Sequence, residues 1–200
     1  DWFFLWSANI FVVFCIFLIV SPFGSVRLGG KDATPDYGYA GWFAMLFAAG
    51  MGSGLLFWGV AEPIYHFMTP PVGEGETAMA ARNAMVITNL HWGLHAWAIY
   101  GVVGLSLAFF CFNRGMPLTL RSAFYPILGE RVWGWWGHII DTLAVFATLF
   151  GLATSLGFGT EQALAGLNFL FGTSTGPGAK VLLIAAITAL ALISVVRGLD

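Results

Sequence analysis

Long apolar segments separated by shorter polar stretches run along the chain, and they predict transmembrane helices rather than strands. A helix needs about 20 apolar residues to cross a bilayer. The most polar connections fall at residues 22–38 and 113–136, where proline, glycine and charged residues concentrate. We therefore predict an all-α polytopic membrane protein, one transmembrane domain over residues 1–200. Five spanning helices are expected at about residues 2–20, 39–67, 81–112, 138–158 and 180–196, with a short outer helix at 161–171.

The second apolar segment contains a cluster of glycines at a depth where glycine weakens a helix. Gly50, Gly52 and Gly54 lie within five residues of one another. Each costs roughly 0.5–1 kcal/mol relative to alanine in a helix interior. The cluster predicts either a break whose freed backbone groups face a ligand or cavity, or close helix packing through the G-x-x-x-G spacing of Gly50 and Gly54.

The fourth apolar segment is too long for one ordinary span. We predict that Gly157 and Gly159 divide it into a spanning helix and the short outer helix. Thr148 lies within the spanning part. A hydroxyl in such a position usually bonds to the carbonyl four residues earlier, although it is also a suitable oxygen ligand for Na⁺.

Composition supports the membrane assignment and excludes nucleic acid as a partner. Of the 200 residues 58% are hydrophobic and only 9% are charged, whereas a soluble domain carries about 25% charged residues. The net charge is −2, which gives no basic footprint for a nucleic acid. Cys15 and Cys111 lie in apolar runs and are predicted to be core thiols.

The distribution of positive charge predicts the orientation in the membrane. The connections at 22–38 and 113–136 and the end of the last helix lie on one side and hold six of the eight Lys and Arg residues. The positive-inside rule places that side in the cytoplasm. The six are Arg27, Lys31, Arg114, Arg121, Arg131 and Arg197, and the opposite side holds Arg82 and Lys180.

Three aromatic residues in the third helix are candidates for a cation site. On a continuous helix Trp92, Tyr100 and Trp97 would fall at about 0°, 80° and 140° around the axis, and so on one half of the surface. Trp and Tyr are more common at the membrane interfaces than in mid-span. Their ring faces suit a quaternary ammonium, which has no N–H to donate. Aromatic packing between helices is the alternative.

Ionisable residues within the spans suggest further alternatives. His91 and His95 are four residues apart and could ligate a metal, which would make the protein an intramembrane metal-dependent enzyme. No H-E-x-x-H pattern accompanies them, and bonding between helices is the simpler interpretation. Glu62 lies near the outer end of its helix and could relay protons, but the sequence indicates no partner for it. A purely structural role, with the glycines only packing helices, is also open.

Three runs together resemble the betaine/choline/carnitine transporter (BCCT) family. Residues 50–63 read Gly-Met-Gly-Ser-Gly-Leu-Leu-Phe-Trp-Gly-Val-Ala-Glu-Pro and are similar to its glycine signature. Residues 91–100 resemble its aromatic-box helix, and residues 148–157 resemble the motif that follows. The resemblance implies a leucine-transporter-like core of two inverted five-helix repeats after two additional helices. The first helix here would be the second additional one, and the chain would be the N-terminal part of a longer protein.

The resemblance also implies roles for individual residues. The backbone carbonyls of Ala48 and Met51 would bind Na⁺, and Thr148 would belong to a second Na⁺ site. Leu152 stands where some relatives have a hydroxyl, which is a departure from that second site. Substrate contacts would come from the aromatic residues and the glycine stretch: Trp92, Trp97, Tyr100, Gly50, Met51, Gly52 and Gly54.

One position bears on the substrate and the coupling ion. Gly54 occupies a place where choline-using, proton-coupled relatives tend to have aspartate, so glycine resembles the betaine-type, Na⁺-coupled members. The expectation is therefore a bacterial inner-membrane, homotrimeric importer of a trimethylammonium solute, with glycine betaine as the expected substrate, driven by Na⁺ with no other cofactor. The alternatives are a proton-coupled choline or carnitine carrier and a sodium-independent exchanger.

Overall fold

The computed structural model describes residues 2–50 and 52–197, and within these ranges all regular secondary structure is helical. Four stretches of the described chain are long and apolar enough to cross a membrane, namely Trp2–Val20, Ala78–Asn113, Trp135–Phe171 and Pro177–Arg197. A fifth apolar segment is divided into two shorter helices. The prediction of an all-α polytopic membrane protein is confirmed.

The helices follow the apolar segments with two internal breaks. Short 3₁₀ turns cover Pro22–Ser25 and Gly129–Trp133, and a π-helical turn covers Phe109–Asn113. The α-helices are α1 (Trp2–Val20), α2 (Tyr39–Gly50), α3 (Ser53–Met68), α4 (Ala78–Trp92), α5 (Leu94–Ala108), α6 (Leu120–Ala123), α7 (Tyr125–Leu128), α8 (Trp135–Phe171) and α9 (Pro177–Arg197).

The glycine cluster breaks the second apolar segment between α2 and α3. Gly52 precedes α3 in an extended conformation, with φ −63° and ψ 169°, and its position provides no side-chain cap. The last carbonyls of α2 and the first amides of α3 therefore lack partners within their own helices. Neither half is long enough to span alone, since α2 has 12 residues and α3 has 16. Of the two interpretations of the glycine cluster, the break is the one observed, and it separates two half-helices.

A second break, at Gly93, was not predicted. The expected continuous helix at 81–112 is instead α4, which begins at Ala78 after the Thr77 cap, and α5, which begins at Leu94. Gly93 has φ −89° and ψ −152°, and a Cβ built on it would overlap the carbonyl oxygen of Asn89. Glycine is needed here because no side chain fits, and a single glycine in an apolar run does not reveal that requirement.

The predicted division of the fourth segment at Gly157 and Gly159 is wrong. Helix α8 runs unbroken for 37 residues and includes the predicted outer helix 161–171. Nothing lies within 4 Å of a Cβ built on Gly157, so no close contact forces the backbone out of the helix there. The helix ends at Gly172, whose φ of 64° is the left-handed conformation typical of a helix C-terminus.

Helix packing brings both breaks together. Helix α3 packs against α4 and also contacts α8, while α1 packs against α5 and α9 against α8. The α1–α5 contact includes a hydrogen bond of 2.9 Å between His95 Nε2 and Asn9 Oδ1. Helix α3, which follows the first break, thus contacts both α4, which precedes the second break, and the continuous α8.

An ion pair between Arg121 and Asp141 holds the connection before α8. The Arg121 backbone N–H donates to Asp141 Oδ1 at 3.0 Å, and its Nε donates to Asp141 Oδ2 at 2.5 Å. Arg121 also lies 3.2 Å from His138 Nδ1. Nearby, the Tyr125 hydroxyl donates to Glu130, and this hydrogen bond raises the pKa of the phenol. This ion pair fixes the connection at residues 113–136 to the first turns of α8.

Candidate ligand-binding cavity

A cavity of about 1180 Å³ lies between α3, α4, α5 and α8. One end of it is formed by the glycine break and another part by the aromatic residues around Gly93. Its lining is mainly apolar, with a few polar groups that converge on one side. The lining residues are Gly52, Gly54, Leu55, Trp58, Glu62, Tyr65, His66, Thr69, His91, Trp92, Ala96, Trp97, Tyr100, Ser155, Phe158, Gly159 and Gln162.

The three predicted aromatic residues all line this cavity. The rings of Trp97 and Tyr100 are 6.0 Å apart between centroids and inclined at 45°. Trp97 Nε1 donates to the backbone carbonyl of Trp92 at 3.2 Å across the Gly93 break. Trp92 Nε1 donates to Glu62 Oε2 at 2.7 Å. Both indole N–H groups are therefore satisfied within the protein, which leaves the ring faces to contact a ligand.

The break changes the reason why these residues meet. The angles around a continuous helix cannot relate Trp92, which ends α4, to Trp97 and Tyr100, which lie on α5. The bend at Gly93 and the hydrogen bond across it place the three rings at one cavity instead. The predicted grouping holds, although the geometry assumed for it does not.

Part of the glycine stretch reaches the same cavity. Gly52 and Gly54 line it, and a Cβ built on Gly54 would lie 3.9 Å from the Trp92 ring. A Cβ built on Gly52 would lie 3.8 Å from the carbonyl oxygen of Ala48 in the last turn of α2. Gly50 ends α2. Met51 lies outside the described residues, so its predicted contacts with substrate and Na⁺ stay predictions.

Glu62 has partners that the sequence did not indicate. It is 8% exposed, and its Oε1 contacts His91 Nδ1 and lies 3.5 Å from His66 Nε2. Its other oxygen accepts the Trp92 N–H. The i, i+4 spacing of Glu62 and His66 on α3 was a visible signal for this cluster, but the link to His91 depends on the packing of α3 on α4.

His91 and His95 each bond to another helix, as the simpler interpretation of their spacing predicted, and the alternative of a shared metal site is wrong. His91 lies against Glu62, while His95 bonds to Asn9 of α1. The break at Gly93 falls between the two histidines, so their spacing of four residues does not put them on one helical face. Two histidines that share no ligand position cannot form the metal site considered from the sequence.

Helix α8 contributes a wall whose residues were largely missed. Ser155, Phe158 and Gln162 line the cavity from successive turns of this continuous helix. Thr148, also on α8, is not one of the lining residues. It is exposed, and its hydroxyl donates to the Ala144 carbonyl at 2.9 Å. The bonding to the carbonyl four residues earlier is thus observed, and a role in a Na⁺ site stays a prediction.

Interrupted helices around a cavity in a multi-pass helical protein are the arrangement that secondary transporters use for substrate and ion sites. The molecule therefore has the architecture of a membrane transporter. The chain belongs to the BCCT family, the betaine/carnitine/choline family transporters, whose model matches residues 1–200. This confirms the family suggested by the three sequence runs. The family is one of transporters and not of enzymes.

Similar proteins carry names that agree with the family. The chain is 59% identical over 204 residues to glycine betaine transporter 1 of Vibrio parahaemolyticus, with 100% of this chain and 39% of that protein covered. It is 47% identical over 200 residues to a glycine betaine transporter of Acinetobacter baylyi, covering 100% and 30%. It is 45% identical over 199 residues to the high-affinity choline transport protein of Escherichia coli, covering 100% and 29%. The chain thus spans about two fifths or less of the length of these relatives.

Proposed function

We propose that the protein is a secondary active transporter that imports glycine betaine together with Na⁺ by alternating access. The observation that carries this proposal is the single cavity that combines three aromatic side chains with the N-terminal end of the half-helix α3. These two elements match the two ends of a betaine molecule, a trimethylammonium group and a carboxylate. The names of the relatives support the same substrate class.

The aromatic side chains are proposed to hold the ammonium. Trp97 is 49% exposed and Tyr100 is 72% exposed, so their faces are open to a ligand. A trimethylammonium group has no N–H to donate, and each aromatic contact stabilises such a cation by roughly 0.5–2 kcal/mol. Three faces around one cation would account for most of the selectivity over a cation that prefers hydrogen bonds.

The start of α3 is proposed to hold the carboxylate. The first amides of α3 have no side-chain cap, and the positive end of its helix dipole points toward the glycine break. Gly52 and Gly54 leave this backbone uncovered, and both line the cavity. The carboxylate of the substrate would interact favourably with this uncovered backbone. An acidic side chain at the same place would repel that carboxylate, because both groups carry a negative charge.

Sodium is proposed to bind on the other side of the break. The backbone carbonyls of Ala48, in the last turn of α2, and of Met51 would supply oxygen ligands. The last carbonyls of a helix are free to bind a cation. Thr148 is proposed for a second Na⁺ site, which would require its hydroxyl to turn from the Ala144 carbonyl. Ion and substrate would then stabilise the same closed state, which couples their movements.

The proposal includes the setting of the protein. The chain would lie in the bacterial inner membrane with residues 22–38 and 113–136 in the cytoplasm, as the positive charges suggest. The transporter would form a homotrimer, as the family resemblance implies. Cross-linking of the purified full-length protein in detergent would test the assembly, and a dimer as the largest species would contradict it.

Uptake of labelled glycine betaine into cells or vesicles that contain the full-length protein tests the function. Uptake should depend on external Na⁺ and stop when K⁺ replaces it. The variant Trp97→Leu removes one of the three aromatic rings and should raise the betaine KM by about tenfold, as expected from the loss of a cation–π contact of roughly 0.5–2 kcal/mol. Trp135→Leu is the matched control, because Trp135 is exposed at the start of α8 away from the cavity lining.

Two outcomes would contradict the proposal separately. Equal uptake in Na⁺ and K⁺ would reject the coupling ion while leaving the substrate in place. An unchanged KM in Trp97→Leu, together with normal expression, would reject the aromatic site.

A further inference from the structure

Glu62, His66 and His91 form a cluster at the edge of the cavity that the proposed transport cycle does not use. One ligand atom from each of the three residues lies within 4.8 Å of the others. Glu62 and His66 are one turn apart on α3, and His91 is in the last turn of α4. The cluster therefore joins the two helices that flank the cavity.

We propose that these three residues bind a divalent transition-metal ion of the Zn²⁺ class, and that the bound ion ties α3 to α4 and inhibits transport. Imidazole nitrogen and carboxylate oxygen are ligands that such ions prefer. Two His and one Glu leave one tetrahedral position open, and that position faces the cavity and can hold water.

The distances suit this ion. In a tetrahedral site with bonds of about 2.0–2.1 Å the ligand atoms lie roughly 3.3 Å apart. The Glu62 Oε1 to His66 Nε2 distance is 3.5 Å, and His91 Nδ1 is already in contact with Glu62 Oε1. Rotations of these side chains would bring the three atoms around one ion, since all three already lie within 4.8 Å of one another.

The surroundings also suit a metal site. The Trp92 N–H donates to the second Glu62 oxygen at 2.7 Å and so orients the carboxylate, as residues beyond the ligands do in metal proteins. Access is open from the His91 side, since its side chain is 57% exposed, against 25% for His66 and 11% for Glu62. An ion can enter past His91 and reach a carboxylate that is largely shielded from water.

The site differs from the histidine pair suggested by the sequence. Only His91 is common to both sets of residues, and His95 is hydrogen-bonded to Asn9. The new set needs the contact between α3 and α4, so it could not be found by spacing along one helix. Since the ion would join both helices next to Trp92, it would restrict the movement that alternating access requires.

Cobalt binding to the purified full-length transporter tests the site, because Co²⁺ takes the same ligands and its visible absorption reports tetrahedral coordination. Titration should show an absorption band that is lost when Zn²⁺ is added. His66→Ala and His91→Ala should each reduce Co²⁺ affinity by at least tenfold. His138→Gln is the control. This histidine lies in the first turn of α8 beside Arg121, so its replacement should leave the Co²⁺ affinity unchanged.

A rescue variant separates loss of a ligand from loss of folding. His66→Cys should retain Co²⁺ binding and add a sulfur-to-metal charge-transfer band in the near ultraviolet. Unchanged Co²⁺ affinity in the double variant His66→Ala/His91→Ala would overturn the site, as would absence of the sulfur band in a monodisperse His66→Cys protein.

The inhibitory effect rests on the proposed function and is measured separately. Micromolar Zn²⁺ should inhibit betaine uptake by the unaltered protein and should inhibit His66→Ala at least tenfold less potently. Equal inhibition of both proteins would reject the effect of the metal on transport. Absence of betaine uptake by the unaltered protein without Zn²⁺ would instead reject the transport proposal and leave the Co²⁺ result standing.

Discussion

The segment at residues 39–68 and helix α8 contain five glycines each, yet only the first is broken. In the first segment three of the five alternate along the chain at Gly50, Gly52 and Gly54. In α8 the glycines are more dispersed, and the helix continues through all of them. The number of glycines therefore does not decide whether a membrane helix breaks.

The break at Gly93 makes the comparison sharper, because one glycine is enough there. A Cβ on Gly93 would overlap the Asn89 carbonyl oxygen, whereas a Cβ on Gly157 would meet nothing within 4 Å. What differs is the conformation that the surrounding packing imposes on the backbone. At Gly93 the chain makes a turn that only glycine permits, while at Gly157 glycine merely weakens a helix that its neighbours retain.

The two kinds of helix also contribute differently to the cavity. The broken helices supply uncovered backbone at Gly52 and redirect the side chains after Gly93, whereas α8 supplies side chains from an intact wall. A break gives a site backbone groups at membrane depth, which an intact helix uses internally. In the proposed function the substrate carboxylate and the first Na⁺ therefore lie at the broken helices, and only the proposed second Na⁺ site, at Thr148, belongs to α8.

The largest expected effect follows from Gly93→Ala, which attacks the break directly. The added methyl group would overlap the Asn89 carbonyl, so either the turn or the packing must shift, at a cost of roughly 1–3 kcal/mol. Betaine uptake should fall to background, and the thermal unfolding midpoint of the purified protein should decrease. Gly104→Ala is the matched control on α5, where nothing lies within 4 Å of the new Cβ. Equal behaviour of both variants would show that Gly93 is not a special position.

An intermediate effect is expected for Gly54→Asp, which leaves the break in place but changes its charge. The Cβ fits beside Trp92 at 3.9 Å, and the new carboxylate would pair with the substrate ammonium and repel a substrate carboxylate. Competition between labelled betaine and unlabelled choline should therefore shift toward choline by about tenfold, equivalent to about 1.4 kcal/mol. Gly54→Asn controls for size. A matching shift in the Asn variant would exclude charge as the cause.

Much of the architecture was accessible from apolar segment length and glycine clustering. The helical class, the positions of the spans and the break after Gly50 follow from the cost of polar backbone in a membrane, which acts locally along the chain. Packing decides where a helix ends when the sequence signal is weak. The prediction failed at Gly93, where a single glycine is essential, and at Gly157, where a glycine pair has no effect on the helix.

The site was predictable in its residue types but not in its connections. Trp92, Trp97 and Tyr100 stood out because aromatic residues with polar groups are unusual in mid-span. The partners of Glu62 were hidden, because His91 is on another helix and meets it only through packing of α3 on α4. Contacts between helices depend on the register of the two surfaces, and residue spacing within one helix contains no information on that register.

The smallest effect is expected for Gly157→Ala, which tests the other half of the comparison. Since α8 is continuous at this position and the added methyl group meets nothing within 4 Å, alanine should strengthen the helix by about 0.5–1 kcal/mol. The purified protein should show a slightly higher thermal unfolding midpoint and an unchanged betaine KM. A loss of uptake as large as that of Gly93→Ala would mean that α8 must open at Gly157 during transport. The distinction between broken and intact helices would then describe one state of the cycle rather than a fixed property of the fold.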